Sequence, residues 1–434
     1  MKKNKVAFYT LGCKLNFAET DTIINKFLKK GYEYVKFRSF ADIYIINTCS
    51  VTKNADKELK KLVRIAIKNN VNGFIVAIGC YSQVNPKEIS LINGIDLIIG
   101  SKEKFNIINY LKNFSKKKNA NIYSCSLKEY NMFIPSYSKL NRTRSFLKIQ
   151  DGCDYKCSYC TIPKARGLSR SDNIKNIIKY AKNIIKQGIK EIVLTGVNIG
   201  DFGKIYNKKN KSNFLELIQA MEYYLNDIKR IRISSIEPNL LSDDIINFIS
   251  KSKIFVNHFH IPLQSGSDEI LNKMKRRYSK KIYLERIKKI FNIMPSACIG
   301  TDVIVGFPGE KEENFLETYS LLSELDISYL HVFPFSERKN TEAFFMKDSI
   351  PQEIRYKRSK ILRKLSKKKK YNFYIKHINK KKNVLFENKK KSGFIYGYTD
   401  NYIRTKTNWK SELVNKIKNV TLLNVDNCGI MICK

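Results

Sequence analysis

From residue 5 to about 100, nearly unbroken apolar runs alternate with stretches of helical period. KVAFYTLG, DIYIINTCS, GFIVAIGC and IDLIIG are separated by segments such as ETDTIINKFLKK and NADKELKKLVRIAIKNN. Strands that are apolar throughout and joined by helices predict a doubly wound parallel sheet covered on both faces. Residues 101 to about 140 lose this rhythm and read as a linker or an irregular extension. A longer series follows, with the runs FLKIQD, EIVLTG, RIRISSI, HFHIPL, CIGTDVIVG and YLHVFPF and helical stretches between them. Six such units predict a partial (β/α)6 barrel, whose chemistry is expected at the C-terminal strand ends. The lysine-rich helix PQEIRYKRSKILRKLSKKKKYNFY leads out of it. Beyond about residue 371 the short runs NVLFE, GFIYGYTDNYIRT and VTLLNV predict a small β-barrel. The chain is therefore expected to be α/β, with domains over residues 1–125, 139–370 and 371–434.

Composition adds two constraints. With 43% hydrophobic and 28% charged residues, 434 residues suffice for several cores. No apolar run reaches the roughly 18 residues of a membrane span. MKKNKVAFYTLG runs straight into a strand and lacks the apolar stretch and cleavage site of a signal peptide, so a cytoplasmic protein is expected. The second constraint is charge: 81 basic and 39 acidic residues give +42, a field suited to a polyanion such as nucleic acid. An abundance of Lys, Asn, Ile and Tyr with scarce Arg also follows from AT-rich coding, so the charge alone does not decide. In the last region SKKKK, NKKKN and NKKKS flank strands bearing Phe386, Phe394, Tyr396, Tyr398 and Tyr402. That pattern fits an RNA platform and, equally, an ordinary barrel core.

The cysteines sharpen the picture. Ten in 434 residues are too few for a disulfide scaffold, but their placement is uneven. Cys13, Cys49 and Cys80 each sit at or just beyond the end of one of the first three apolar runs, so a parallel sheet would bring them to one edge, where ligands bind. Cys153, Cys157 and Cys160, spaced C-x3-C-x2-C in DGCDYKCSYCTIP, directly follow the first barrel strand. Four cysteines would close a structural zinc site; three suit a cubane iron–sulfur cluster with one iron open to an outside ligand. A zinc reading needs a fourth ligand, and His258, His260, His331 and His377 have no ligand-like spacing. Cys125, Cys298, Cys428 and Cys433 read as core or incidental thiols.

That spacing, with an aromatic residue before the last cysteine, resembles the radical S-adenosylmethionine superfamily. TLGCKLNFAET, INTCSVT, GCY, FLKIQDGCDYKCSYCTIPKARGLSRS, SSIEP, HIPLQSGSDEILNKMKRRYS and TDVIVGFPGE narrow the resemblance to its methylthiotransferases. LGCK, NTCSVT, SSIEP and HVFPFSERKNT are similar to the subfamily acting on threonylcarbamoyladenosine in tRNA. The C-terminal stretch resembles an RNA-binding TRAM domain.

The resemblance implies that Cys153, Cys157 and Cys160 hold a 4Fe-4S cluster whose open iron binds S-adenosylmethionine, and that Cys13, Cys49 and Cys80 hold a second, auxiliary cluster carrying the sulfur. A 5′-deoxyadenosyl radical would activate C2–H of the modified adenine, and a second S-adenosylmethionine would supply the methyl group. Tyr159, Gly196, Asn198, Ser235, Gln264 and the Val305–Gly306 pair would border the cofactor; as residues alone, each is as readily a structural turn or strand-end position. Arg166 would reach a carboxylate or phosphate, or lie on the surface. The implied partners are tRNA and an electron donor such as flavodoxin or ferredoxin. Two alternatives stay open: a sister enzyme acting on isopentenyladenosine tRNA or a ribosomal protein aspartate, and an RNA-binding protein with a structural metal.

Overall fold

The computed structural model describes residues 4–434 except 112–114, 117–118, 128–129, 131, 139–142 and 205–211. In the first region β1 (Lys5–Thr10), β2 (Glu33–Val35), β3 (Ile43–Thr48), β4 (Phe74–Gly79), β5 (Leu97–Ile99) and β6 (Asn121–Tyr123) form one parallel sheet in the order β2-β1-β3-β4-β5-β6. Every residue of β3 and β4 is buried, because helices cover both faces and leave no solvated side for polar residues. Ile23, Ile24 and Phe27 of α1 (Lys14–Lys29) pack on one face, and Leu59, Leu62 and Val63 of α2 (Lys53–Asn69) on the other. The strand order reverses between β1 and β3, the position where open α/β sheets bind ligands. The expected linker is ordered further than its sequence suggests: Asn121–Tyr123 adds the sixth strand beside β5. Three residues are too few to show a period.

The central region has six parallel strands in two arcs. β7 (Arg144–Lys148), β10 (Glu191–Thr195) and β11 (Arg230–Ile233) form one; β12 (His258–His260), β13 (Cys298–Val305) and β14 (Tyr329–Pro334) form the other. The bridges Ile231–Phe255 and Ser235–His260 join them. A short antiparallel clasp, β8 (Gln150–Asp151) with β9 (Arg170–Ser171), closes the base of the cysteine loop. On β11, Ile231 and Ile233 face the helices, so the alternating Arg230 and Arg232 point into the lumen.

The helix Gln352–Ile375 leads to a closed barrel of β15 (Lys381–Lys391), β16 (Phe394–Thr399), β17 (Arg404–Asn408), β19 (Met431–Cys433) and β18 (Ile417–Val425). GFIYGYTDNYIRT, read as one run, is two strands around a turn in which Tyr402 takes φ +67°. The turn presses against the floor of the larger barrel. Tyr398 and Tyr402 stack at 4.7 Å, Arg144 lies 4.7 Å from the Tyr398 ring, Arg232 4.8 Å from the Tyr402 ring, and Tyr402 packs on His258 at 4.4 Å. These two tyrosines, with the fully buried Phe386, are therefore core and interface residues rather than a free stacking surface. Phe394 and Tyr396 remain at the half-exposed face, covered by Lys406 and Arg404.

Candidate active site

Cys13, Cys49 and Cys80 stand at the ends of the adjacent strands β1, β3 and β4, as the apolar runs predict. Cys13 caps α1, Cys49 follows β3, and Cys80 opens the short helix α3 (Cys80–Val84). Gly12 makes the approach possible: at φ +94°, a Cβ there would stand 3.0 Å from the Cys49 Sγ. Cys153, Cys157 and Cys160 share one loop with Tyr155 and Tyr159. Gly152 lets that loop start, since a Cβ would overlap the Leu168 carbonyl at 1.9 Å. The Cys153 N–H then donates to Gly167 O at 3.0 Å, and Ser158 N–H to Met274 O at 3.1 Å.

The segments that follow Cys49 and Cys160 meet across the domain boundary. Ser50, which follows Cys49, lies 3.0 Å from Thr161, which follows Cys160, through their hydroxyls. A cavity of about 250 Å³ lies there, bordered by Val51 and Thr52 from the first domain and by Tyr159, Cys160, Gln264 and Asp302 from the barrel. Beneath it runs a buried ionic network. Arg166 donates to both Glu19 oxygens at 3.0 Å, to Asp151 at 2.9 Å and to Asn16 at 2.6 Å. Lys148 bridges Glu19 and Asp151 at 3.0 and 2.7 Å, and Lys104 and Arg170 complete the set. Burial alone would raise the Glu19 carboxyl, but Arg166, Lys104 and Lys148 outweigh it and hold the group well below its ordinary range. Arg166 is thus neither a surface residue nor a free anion contact; it fastens the first domain to the barrel.

None of the ten cysteines is in a disulfide. Burial pushes Cys49 and Cys160 up to about 12 and raises Cys80, Cys153 and Cys157 in the same direction. Thiolates so placed need bound positive charge, which iron supplies. Among the described residues, only His260, Asp302 and His331 bring three ligand atoms within 4.8 Å of one another; neither cysteine triad crowds together as ligands of a single ion would. Three soft donors at each site suit a cubane cluster with one iron left open, whereas structural zinc takes four ligands.

The other expected residues divide. Tyr159 and Gln264 border the cavity; Gly196, Asn198, Ser235 and Val305 do not. Asn198 is buried, its amide NH2 donates to Asp201 at 2.9 Å, and its Oδ1 has no partner. Gly196 answers to Gln150, whose carbonyl and side-chain oxygens would each lie 2.9 Å from a Cβ there. That side-chain oxygen accepts from Val197 and Asn198 N–H at 2.9 and 2.8 Å. The Val305 side chain is in the core and its carbonyl accepts from Phe335 N–H at 2.8 Å. At Gly306 a Cβ would overlap Arg355. Ser235 is half-buried at the bridge to His260.

Sequence reasoning missed Arg276 and Glu237. Arg276 donates to Cys157 Sγ at 3.2 Å and Tyr159 Oη at 3.3 Å and pairs with Glu237. The doubled arginine in KMKRRYS was the available signal. It also missed the lumen. Asp302 Oδ1 pairs with His260 at 2.9 Å and His331 at 3.2 Å, and Lys14, the first residue of α1, faces Arg232, Arg144 and Asp302. The Lys14 side chain reaches solvent, yet the surrounding protein and those arginines lower its pKa to about 8.

Comparison with known proteins agrees with this arrangement. Residues 147–322 match the radical SAM superfamily, and residues 5–100 match the uncharacterized protein family UPF0004. The chain is 37% identical over 427 residues to the threonylcarbamoyladenosine tRNA methylthiotransferase MtaB of Bacillus subtilis, covering 96% of this chain and 93% of that one. It is 38% identical to the MtaB of Aquifex aeolicus, over 88% and 92% of the two chains. A tRNA-2-methylthio-N(6)-dimethylallyladenosine synthase of Clostridium botulinum is 34% identical over 90% and 86%. Among solved structures, the radical S-adenosylmethionine methyltransferase TsrM of Kitasatospora setae shares the fold at TM-score 0.56 and 12% identity, over 79% of this chain and 77% of that one.

Proposed function

This chain belongs to the methylthiotransferases of the radical S-adenosylmethionine superfamily, in the subfamily acting on threonylcarbamoyladenosine in tRNA, and from that premise we propose how its residues divide the work. The enzyme adds a methylthio group to C2 of threonylcarbamoyladenosine beside the anticodon, with two 4Fe-4S clusters and S-adenosylmethionine as cofactors. When bound, these groups supply a carbon radical that opens the C2–H bond and the methylated sulfur that replaces the hydrogen.

Cys153, Cys157 and Cys160 hold the cluster that binds S-adenosylmethionine, and Cys13, Cys49 and Cys80 hold the second one. Arg276 fixes the Cys157 side chain and screens its charge, with Glu237 holding the guanidinium in place. With the cofactor bound, Tyr159 at the cavity edge would turn its backbone to the adenine, and the partnerless Asn198 Oδ1, buried behind that cavity, would be the acceptor left for the ammonium. Gln264, held at φ +67° at the cavity edge, faces the reacting groups, while Gly196, Ser235 and Val305 shape the strand ends behind them. Ile304, Phe333 and Phe335 give the cavity an apolar wall. Electrons come from a low-potential donor such as flavodoxin or ferredoxin, and the enzyme works in the cytoplasm; among the described residues, no helix is long and apolar enough to cross a membrane.

One observation carries this reading: the Ser50–Thr161 hydrogen bond joins the residues following Cys49 and Cys160, so the loops of the two triads meet beside the cavity that Cys160 borders. The test is anaerobic incubation of the reconstituted protein with tRNA lacking the methylthio group, followed by mass spectrometry of its nucleosides. Methylthiolated threonylcarbamoyladenosine is expected. A product on isopentenyladenosine alone, or on a ribosomal protein aspartate, contradicts the assignment.

A further inference from the structure

The barrel lumen carries an excess of positive charge that the cofactor-binding reading does not use. Arg232 is paired with Glu191 at 3.1 Å, and its Nη1 is buried without a partner. Arg144 reaches Glu191 at 3.9 Å and Glu387 at 3.3 Å. Asp302, the carboxylate nearest the cavity, accepts from His260 and His331. Lys14 is left over: among the described residues, no hydrogen bond or ion pair within 4.0 Å engages its ammonium, though it lies within electrostatic reach of Arg232, Arg144, His258 and Asp302. α1, which opens at Lys14, packs beside β7, so this cation of the first domain stands within electrostatic reach of the lumen charges Arg144, Arg232 and Asp302. A solvent-reachable cation facing other cations suits an anionic ligand and disfavours a metal ion at the neighbouring His260–Asp302–His331 group.

The substrate chemistry supplies that anion. Threonylcarbamoyladenosine carries a carboxylate on its N6 substituent, whereas the dimethylallyl group of the sister substrate is wholly apolar. In adenine, C2 and C6 flank N1, so the reacting C2–H and the N6 substituent share one edge of the base. Whatever grips the substituent must therefore stand close to whatever delivers sulfur to C2. Lys14 directly follows Cys13, a member of the triad assigned to that delivery.

We propose that Lys14 is the specificity-determining contact of the enzyme, a lumen cation that pairs with the carboxylate of the threonylcarbamoyl group and so selects that nucleoside over one with an apolar N6 substituent. The inference rests on the function proposed above. Removing a partner from a desolvated charge pair weakens binding roughly ten- to a hundredfold.

The test is the affinity of the cluster-loaded full chain for two anticodon stem-loop RNAs. One bears threonylcarbamoyladenosine, the other its methyl ester, which keeps the size and removes the charge. The wild-type protein should bind the acid at least tenfold more tightly than the ester. Lys14→Gln should lose that preference by weakening only the acid, and Lys14→Arg should retain most of it. Iron content and melting temperature establish that each variant is folded, and the wild-type comparison needs no variant. Equal wild-type affinity for acid and ester overturns the proposal. So does a Lys14→Gln protein that keeps the preference or weakens both RNAs alike, the latter marking a contact to the RNA backbone. If the wild-type enzyme methylthiolates the acid RNA while Lys14→Gln keeps the preference, only this inference falls. If it modifies neither RNA, the functional assignment falls and takes this inference with it.

Discussion

Gly12 shows how narrow the tolerance is around the first-domain triad. A methyl group there would meet the Cys49 Cβ at 2.9 Å and Sγ at 3.0 Å, on a backbone at φ +94° that L-residues avoid. Gly12→Ala should therefore push the loops of Cys13 and Cys49 apart, costing about 1–3 kcal/mol of stability and most of the iron at that site. Iron retained at the wild-type level would show that the loops give way easily. Arg166 is the second such residue. Replacing it by Met leaves Glu19 and Asp151 buried with less compensation, and breaking a buried pair of this kind costs about 3–5 kcal/mol. Urea unfolding measures the loss, and a change below about 1 kcal/mol would mean that Lys104 and Lys148 suffice. The cysteines were legible in the sequence because their signal is local, a tight spacing or a place at the end of an apolar run. Arg276 was not, because it finds Cys157 across 119 residues; for Arg166 the carboxylate contact was legible, but not that one of its carboxylates, Glu19, lies 147 residues away.

Among the elements, long apolar strands and their covering helices could be read directly, since burial on both faces writes itself as an unbroken run. Short strands escaped: Asn121–Tyr123 at a sheet edge and Met431–Cys433 inside the closed barrel have three residues each and no period. The role of the small barrel escaped for a different reason, because its tyrosines read alike whether they face RNA or protein. In the structure the Tyr398–Thr399 end of β16 and the turn after it cap the barrel floor, and Arg230 donates to the carbonyls of Tyr398 and Asn383 at 3.0 and 2.5 Å. Deleting residues 376–434 should therefore destabilise the radical-forming domain itself, because Arg230 and Arg232 would lose buried partners. A lowered melting temperature of the truncated chain, by several degrees, is the expected result. An unchanged melt would make the small barrel an independent module, as its sequence alone suggested.

The whole molecule reads as two α/β domains held edge to edge, each with a cysteine triad, and a basic small barrel closing the opposite end of the larger one. The net charge of +42 accords with a tRNA substrate, and its distribution matters more than its sum. Inside the barrel, cations outnumber the carboxylates placed to neutralise them, a feature no composition could reveal. The central claim is that the two triads serve separable halves of one reaction. The most direct measurement compares wild-type protein with the variant in which Cys13, Cys49 and Cys80 are all replaced by Ala, assaying iron, S-adenosylmethionine cleavage and methylthiolated nucleoside together. The variant should keep about half the iron and still cleave S-adenosylmethionine, because the loop of Cys153, Cys157 and Cys160 is untouched, while forming no methylthiolated product. Methylthiolation by that variant at the wild-type level would contradict the account and make the first-domain cysteines structural.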